Sequence, residues 1–265
     1  WEQTMIIESH VAGTPSWIDL MTTDQDSAIA FYGKVFGWQA MVSGPEMGNY
    51  AMCMIGDQPV AGIGPMPSEG PPFPPSWSVY ISVDDADAVA AAATAAGGQI
   101  VAPVMDVAGA GQHPGRMAIL TEPSGGVVGL WEPHDHRGSG LVNEPGSFAW
   151  NEFLSRDPSA TRDFFGALFG YEWQAMEGAP MEYHSATLAG NQAFGVMGIP
   201  PGMPAEVPSH WNTYFAVADT DQSVATALAA GGTALSPAFD SPFGRMAVLA
   251  DPQGASFSIM AVPSA

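Results

Sequence analysis

The sequence predicts an α+β protein made of two homologous domains in tandem, each built from paired βαβββ units whose curled sheet forms a ligand cup. Three observations carry this prediction. Residues recur at an offset of 133 positions (150 − 17, 170 − 37), strand-type and helix-type apolar patterns alternate within each copy, and glycines follow the helical segments.

The repeat divides the chain into two domains. Aromatic, acidic and glycine positions return in the same order: Trp17, Asp19, Asp24, Phe31, Phe36 and Gly37 recur as Trp150, Glu152, Asp157, Phe164, Phe169 and Gly170. This predicts a first domain over 14–133 and a second over 146–263. The segment 134–145 between them is polar and glycine-rich at its start, which is typical of an exposed linker.

The first βαβββ unit begins with a strand over 16–21, where apolar residues alternate between two faces. Ile18 and Leu20 fall on one face and Trp17, Asp19 and Met21 on the other. Asp24 is placed to cap a helix over 26–36, and Gly37 ends it. Strands are then expected over 50–55 and 60–64.

The second unit repeats this order. A strand over 76–83 is followed by an alanine-rich helix that starts after Asp84 and Asp85 and ends at Gly97, and strands follow over 115–121 and 126–132. One helix covers one face of each small sheet, which leaves the other face to curl around a ligand. The modules therefore form two cups, or one shared cup if they face each other.

The composition excludes several partner classes. The formal net charge is −21 with only six lysines and arginines, so phosphate backbones and anionic lipid surfaces are repelled. No apolar run is long enough to span a bilayer, and we expect a cytoplasmic protein without nucleic-acid or membrane partners. Cys53 is the only cysteine and lies in an apolar run, which favours a buried, inert thiol.

The order of elements, with Asp24 ahead of Phe31 and with the acidic turns Glu122-Pro123-Ser124-Gly125 and Asp251-Pro252-Gln253-Gly254 before the last strands, resembles the vicinal oxygen chelate superfamily. This is the group of glyoxalases, bleomycin-resistance proteins and extradiol dioxygenases, and the resemblance covers nearly the whole chain. The openings Thr14-Pro15-Ser16-Trp17 and Trp150-Asn151-Glu152 resemble two-module bacterial proteins often labelled hydroxylases, found near aromatic polyketide pathways.

The resemblance also implies where a metal would be held. The family's ligand positions fall on Trp17 and Trp150, on Ser78 and Asn212, and on Gly129 and Ser258. Divalent ions prefer His, Cys or carboxylate ligands, so we expect no cofactor. The alternative is a metal-dependent lyase or dioxygenase of glyoxalase type, with one divalent ion held by unconventional ligands such as Glu152, His184 and His210.

Strand alternation predicts the contents of each cup. The first should contain Trp17, Asp19, Ser78, Tyr80, Gly129 and Trp131, and the second Trp150, Glu152, Asn212, Tyr214, Ser258 and Met260. A carboxylate in an apolar cup has a raised pKa and can transfer protons beside a tyrosine. Asp19 with Tyr80 and Glu152 with Tyr214 are therefore the candidate catalytic pairs; the alternative is that they only order the strands.

The remaining candidates concern ligand binding. Trp17, Trp131 and Trp150, with Met21 and Met260, would form a flat, polarizable wall, although core packing is an equal explanation for the tryptophans. His184 and His210 could each enter the second cup. His134 and His136 fit a solvated linker better than a metal site, and His113 falls in an insertion of the first copy.

The sequence thus predicts a metal-independent protein that binds a small apolar, aromatic or polyketide-like metabolite. It either sequesters that molecule, as the resemblance to bleomycin-resistance proteins implies, or assists its hydroxylation, isomerisation or ring chemistry. A structural protein whose cups are filled by its own side chains is a third alternative. A monomer is favoured over a homodimer, because two fused modules can complete a cup alone.

Overall fold

A computed structural model describes residues 5–67, 73–107, 109, 111, 113–178 and 181–261. The elements of the first repeat are β1 (Met5–Ile6), β2 (Pro15–Thr22), α1 (Gln25–Phe36), β3 (Gln39–Val42), β4 (Ala51–Ile55), β5 (Gln58–Pro65), β6 (Ser76–Ser82), α2 (Ala86–Ala95), β7 (Gln99–Asp106), β8 (Gly115–Thr121) and β9 (Val127–Pro133). A single 3₁₀ turn covers Pro45–Met47.

The second repeat follows the same plan. Its elements are β10 (Leu141–Val142), β11 (Phe148–Ser155), α3 (Pro158–Phe169), β12 (Glu172–Ala175), β13 (Tyr183–Leu188), β14 (Asn191–Gly198), β15 (His210–Val217), α4 (Thr220–Ala229), β16 (Thr233–Ala234), β17 (Phe239–Ser241), β18 (Gly244–Ala250) and β19 (Ser256–Ala261). The predicted end of this domain at residue 263 lies outside the described residues, and the domain limits stay a prediction.

Each repeat forms its own open sheet from two βαβββ units, as predicted. The first sheet has the order β3-β4-β5-β2-β6-β9-β8-β7, and the second has the order β12-β13-β14-β11-β15-β19-β18-β16 with β17 beside β18. In both sheets the first strands of the two units, β2 with β6 and β11 with β15, pair antiparallel at the centre. The centre of each sheet is therefore built from strands of both units.

The helix boundaries follow the predicted caps. The Asp24 side chain accepts a hydrogen bond from the Ser27 N–H (3.0 Å), and the Asp157 side chain accepts one from the Ala160 N–H (3.0 Å). Gly37 and Gly170 end α1 and α3 with φ of 75° and 70°, a left-handed conformation that glycine adopts without steric cost. No helix in the described ranges is long and apolar enough to cross a membrane.

The two repeats pack against each other through their helices, α1 against α4 and α2 against α3. Helix α1 of the first repeat lies against the second sheet, with the rings of Phe36 and Phe215 centred 4.7 Å apart and those of Phe31 and Phe257 6.1 Å apart. Ile18 and Leu20 belong to this same core. The main core therefore runs through both repeats.

Side-chain hydrogen bonds at corresponding positions connect the two repeats. The Tyr32 hydroxyl on α1 donates to Asp251 in the turn of the second repeat (3.3 Å), and the Thr161 hydroxyl on α3 donates to Glu122 in the turn of the first (2.9 Å). Each acidic turn of the repeat pattern thus accepts a hydrogen bond from the other repeat's helix. A buried carboxylate needs such donors to offset its desolvation.

The segment between the repeats is exposed at His134, Asp135 and Arg137, as expected, but it is packed from Gly138 onward, which corrects the expectation of a solvated linker for that part. Ser139, Leu141 and Val142 are buried, and β10 pairs antiparallel with β1. The Ser139 hydroxyl donates to the Leu141 carbonyl (2.8 Å). The glycines that make this segment look flexible in the sequence instead allow close approach, since a Cβ on Gly138 would lie 2.4 Å from the Ser16 carbonyl oxygen.

Candidate functional site

Both repeats contain the same hydrogen-bonded group of four side chains, which we call the polar quartet. In the first repeat, the Trp17 indole N–H donates to the Tyr50 hydroxyl (2.8 Å), and the Tyr80 hydroxyl donates to Asp19 (3.1 Å). In the second repeat, Trp150 donates to Tyr183 (2.8 Å) and Tyr214 donates to Glu152 (2.8 Å). Each carboxylate is therefore hydrogen-bonded to the tyrosine that the sequence analysis placed beside it, and the catalytic role of these pairs stays a prediction.

Tyr50 and Tyr183 were missed as site residues, although they lie 133 positions apart (183 − 50), at the offset of the other repeated positions. Each hydroxyl reaches the quartet by crossing a glycine of the neighbouring strand. A Cβ on Gly62 would lie 1.6 Å from the Tyr50 hydroxyl, and one on Gly195 would lie 2.1 Å from the Tyr183 hydroxyl. These two glycines make room for the second tyrosine of each quartet.

The quartet of the second repeat lies in an open cup with a volume of about 770 Å³. Trp150, Glu152, Tyr214 and Met260 line this cavity, as the strand alternation predicted. Most of its other wall was not predicted. Four further methionines and two phenylalanines complete the apolar lining: Met176, Met181, Met197, Met246, Phe239 and Phe243.

Asn212 and Ser258 lie next to the quartet. Asn212 is the cross-strand partner of Glu152, and Ser258 is the partner of Tyr214. The Ser258 hydroxyl donates to the Asn212 carbonyl oxygen (3.0 Å), which leaves the amide N–H groups free to point toward Glu152. The structure thus brings all six residues predicted for the second cup together, and their roles in binding stay predictions.

The reactive group of this cup is the Glu152 carboxylate, which is partly desolvated and surrounded by hydrogen-bond donors. Burial raises the pKa of Glu152, and hydrogen bonds from Tyr214, Tyr183 and Asn212 oppose part of that rise. Burial also raises the pKa of both tyrosines far above their ordinary value, so they stay protonated and act as donors. Glu152 is therefore a stronger proton acceptor than an exposed carboxylate, and the tyrosines hold its orientation.

The two histidines expected near this cup do not contribute to it. Neighbouring residues of a strand point to opposite faces, and because Tyr183 faces the cup, His184 faces α3, where its Nδ1 lies 3.1 Å from an Arg162 nitrogen. His210 lies at the start of β15, with its Nδ1 2.8 Å from the Pro208 carbonyl oxygen. Neither histidine lines the cavity, so the expected placement is wrong for both.

The first cup is filled by the chain itself. Trp17, Tyr80 and Trp131 are buried against each other and against apolar residues such as Met52 and Met117. Ser78 is partly buried as the cross-strand partner of Asp19. Met21, at the end of β2, lies against the Gly64 backbone of β5. Tryptophans of this cup are core residues, which was the alternative explanation for them.

A histidine from the segment after β9 closes this cup. The His136 ring lies edge-on to Trp17 at a centroid distance of 4.4 Å and 5.5 Å from the Trp131 ring, and the Trp131 indole donates to the His136 carbonyl (2.8 Å). The backbone N–H groups of His134 and His136 both donate to the Pro114 carbonyl. His136 was expected in a solvated linker and is instead a lid residue.

Two polar atoms in the closed cup are buried without a hydrogen-bond partner among the described residues, namely Asp19 Oδ1 and His136 Nε2. Burial raises the pKa of Asp19 to about 7. Burial lowers the pKa of His136 to about 4, with a smaller contribution from His10. Cys53, by contrast, lies in the main core, and burial raises its thiol pKa to about 12, so it is inert as predicted.

The lid histidine makes stability depend on pH. The native state binds fewer protons than the unfolded state between pH 6.5 and about 4, so the free energy of unfolding falls as the pH falls. The contribution of His136 is about 3 kcal/mol. We expect His136→Phe to gain that much stability relative to the wild type between pH 7.5 and pH 4 in urea denaturation. Parallel curves for wild type and His136→Phe would contradict the burial of the lid.

The residues at the family's metal positions do not fit a divalent ion. Trp17 and Trp150 present indole N–H donors that are already bound to tyrosines, and Gly129 has no side chain. In the described part of the chain no three His, Cys, Asp or Glu side chains are grouped so that they could hold a metal. The unconventional set of Glu152, His184 and His210 is not assembled, because both histidines lie outside the cup.

Comparison with known proteins agrees with this architecture. Residues 10–128 match the family described as Glyoxalase/Bleomycin resistance protein/Dioxygenase superfamily, and residues 152–260 match the Glyoxalase-like domain. The chain is 43% identical to the protein CFP32 of Mycobacterium tuberculosis, over 94% of each chain. It is 32% identical to the anthracycline biosynthesis protein DnrV of Streptomyces peucetius, over 94% of this chain and 93% of that one.

Solved structures show the same fold at low identity. The Mn(II)-bound glyoxalase from Novosphingobium aromaticivorans gives a TM-score of 0.65 at 14% identity, covering 94% of this chain and 82% of that one. The 2,3-dioxygenase LapB from Pseudomonas sp. KL28 gives 0.62 at 12% identity, covering 95% and 92%. With both repeats matched and two relatives aligned over nearly their whole length, the chain belongs to the glyoxalase/bleomycin resistance protein/dioxygenase superfamily.

Proposed function

We propose that the cup of the second repeat binds one flat, apolar metabolite of aromatic or polyketide type and does so without a metal. The observation that carries this proposal is the contrast between the two quartets. One is covered by His136, and the other opens into a cavity of about 770 Å³ lined by methionines, phenylalanines and Trp150. The relative named for anthracycline biosynthesis supports an aromatic polyketide as the ligand class.

The lining of the cup suits such a ligand. Methionine side chains are flexible and polarizable and adapt to flat ring systems, and Trp150 supplies an aromatic surface. Glu152, Tyr183 and Tyr214 form the polar end, where a phenolic hydroxyl or a keto group of the ligand would exchange hydrogen bonds. Glu177 and Asp240 also line the cup, but both are exposed and Asp240 is paired with Arg245 (3.1 Å), so the groups that fix the ligand's orientation are those of the quartet.

The same polar end can move a proton. Glu152 can accept a proton from an acidic C–H or O–H of the ligand, become a neutral carboxylic acid, and return the proton at another position. Isomerisation is the reaction that these groups could catalyse by proton transfer alone. Tyr183 and Tyr214 would donate hydrogen bonds to the ligand oxygen that becomes negative. Without such a substrate the cup sequesters its ligand. Glu152→Gln separates the two, because it removes the base and keeps the shape.

Calorimetric titration with emodin, a trihydroxy-methylanthraquinone, tests the proposal. We expect one molecule to bind per chain, because only the second cup is open. Tyr183→Phe should weaken binding about tenfold, because it removes one hydrogen-bond donor from the polar end of the cup. The matched Tyr50→Phe in the closed cup should leave the affinity unchanged. Equal losses in the two variants, or two molecules per chain, would contradict the assignment to the second cup.

Metal independence has its own measurement. Protein purified without chelator should contain less than one zinc, nickel, manganese or iron ion per chain when measured by inductively coupled plasma mass spectrometry. Emodin binding should be unchanged after dialysis against EDTA. This follows from the donor set at the family's ligand positions. Copurification of one metal per chain together with loss of binding in EDTA would favour the metal-dependent alternative.

We also propose that the chain works as a monomer, because the second cup is lined by both βαβββ units of one repeat, as in Trp150 and Tyr183 of the first unit and Tyr214 and Met260 of the second. Light scattering after gel filtration gives the mass directly. A dimer whose dissociation abolishes emodin binding would show that the cup is incomplete in the single chain.

A further inference from the structure

A second groove of about 550 Å³ lies between the two repeats and continues from the cup of the second repeat. Trp150 and Gln192 line both spaces. The outer wall of the groove comes from the segment before β2 and from the segment around β10, so it exists only because these segments pack on the second repeat. We call it the junction groove.

The polar lining of the junction groove is neutral. It consists of residues with side-chain amides, one hydroxyl and one histidine: Asn143, Asn191, Gln192, Thr14 and His10, together with Asn151, which is buried and accepts from the Thr213 hydroxyl (2.9 Å). No acidic, lysine or arginine side chain among the described residues is part of this wall. In a protein of charge −21, a groove without charges would give no partner to a cationic or anionic group, but its amides can both donate to and accept from hydroxyls.

His10 belongs to this neutral set. Its Nε2 lies 2.9 Å from the Ser139 carbonyl oxygen, which can only accept, so Nε2 carries a hydrogen and Nδ1 is left as an acceptor in the neutral ring. Burial lowers the pKa of His10, which keeps the ring neutral at pH 7. The groove therefore offers donors and acceptors in close succession beside an aromatic ring.

We infer that the junction groove holds a glycosyl arm of the ligand whose aromatic ring system lies in the cup, an inference that rests on the proposed function. Trp150 is the shared wall, since this residue lines both the cup and the groove. A sugar ring presents hydroxyls to amides and a C–H face to an aromatic surface, which is the combination found here. The preferred ligand is thus a neutral aromatic glycoside rather than the free ring system.

Calorimetric titration with emodin and with emodin 8-O-glucoside tests the inference. We expect the wild type to bind the glucoside about tenfold more tightly than emodin, which corresponds to one or two net hydrogen bonds. Asn191→Trp places a bulky ring at the exposed edge of the groove and should abolish this preference while the Kd for emodin stays within about twofold. Asn191→Ala, the control for size, should retain most of the preference. Circular dichroism would show that each variant is folded.

The outcomes separate the groove from the cup. Emodin binding with no gain for the glucoside, or a gain that survives Asn191→Trp, would overturn the glycosyl assignment and leave the proposed function intact. Failure of both compounds to bind the wild type would overturn the proposed function and the groove assignment together. Loss of emodin binding in Asn191→Trp would show that the groove is part of the ring site, which also contradicts the inference.

Discussion

Asp19→Asn is expected to remove a pH-dependent loss of stability of about 4 kcal/mol. The pKa of Asp19 is raised by burial to about 7, so between pH 4 and pH 7 the native state binds more protons than the unfolded state. The free energy of unfolding therefore falls as the pH rises through this range. The variant lacks the titration, and its stability relative to the wild type should increase by about that amount from pH 4 to pH 8 in urea denaturation.

The difference between the two proteins is the informative quantity, because their other carboxylates are the same and cancel. Glu152→Gln is the matched comparison at the corresponding position of the second repeat. Glu152 is half-buried and accepts from two tyrosines and Asn212, so its raised pKa should give a smaller change over the same pH range. A stability difference between Asp19→Asn and the wild type that does not change with pH would show that the Asp19 carboxyl titrates normally.

Phe257→Ala is expected to destabilise the protein by about 3–5 kcal/mol and to weaken both repeats at once. Phe257 is fully buried on β19 of the second repeat, and its ring packs against Tyr32 and Phe36 of α1 in the first repeat, at 5.5 and 5.9 Å. Urea denaturation should still show one transition, shifted to lower urea. Hydrogen exchange should become faster in α1 as well as in β19.

The exposed Phe73 supplies the control, since Phe73→Ala removes the same ring from the surface and should change stability by no more than about 0.5 kcal/mol. Two separate transitions in Phe257→Ala, with α1 keeping its wild-type exchange rates, would show that each repeat is stable independently of the other. That result would contradict the single core.

Much of the fold could be predicted from strand patterns in which apolar residues alternate with a period of two. Ile18 and Leu20 belong to the main core while Trp17 and Asp19 face the first cup, as the alternation predicted. The edge strands β3 and β7 could not be located in this way, because most of their side chains are exposed on both faces and carry no apolar period. His184 was misplaced because its neighbour Tyr183 was not recognised as a cup residue.

The arrangement of the repeats could not be predicted, for a different reason. The aromatic face of α1 has the same sequence pattern whether Phe31 and Phe36 pack on their own sheet or on the other repeat. Nor does the segment around His136 differ in composition from an exposed loop. Its role depends on the Pro114 carbonyl and on two tryptophans that are distant in sequence.

The interleaved helices also affect the order in which the chain can fold during synthesis. Phe36 leaves the ribosome 221 residues (257 − 36) before Phe257, the ring that it packs against in the finished protein. At roughly 5–20 residues per second, the aromatic face of α1 waits roughly 10–45 s for its partner strand. During that interval the aromatic face of α1 in the nascent first repeat stays without the strand that covers it in the finished protein.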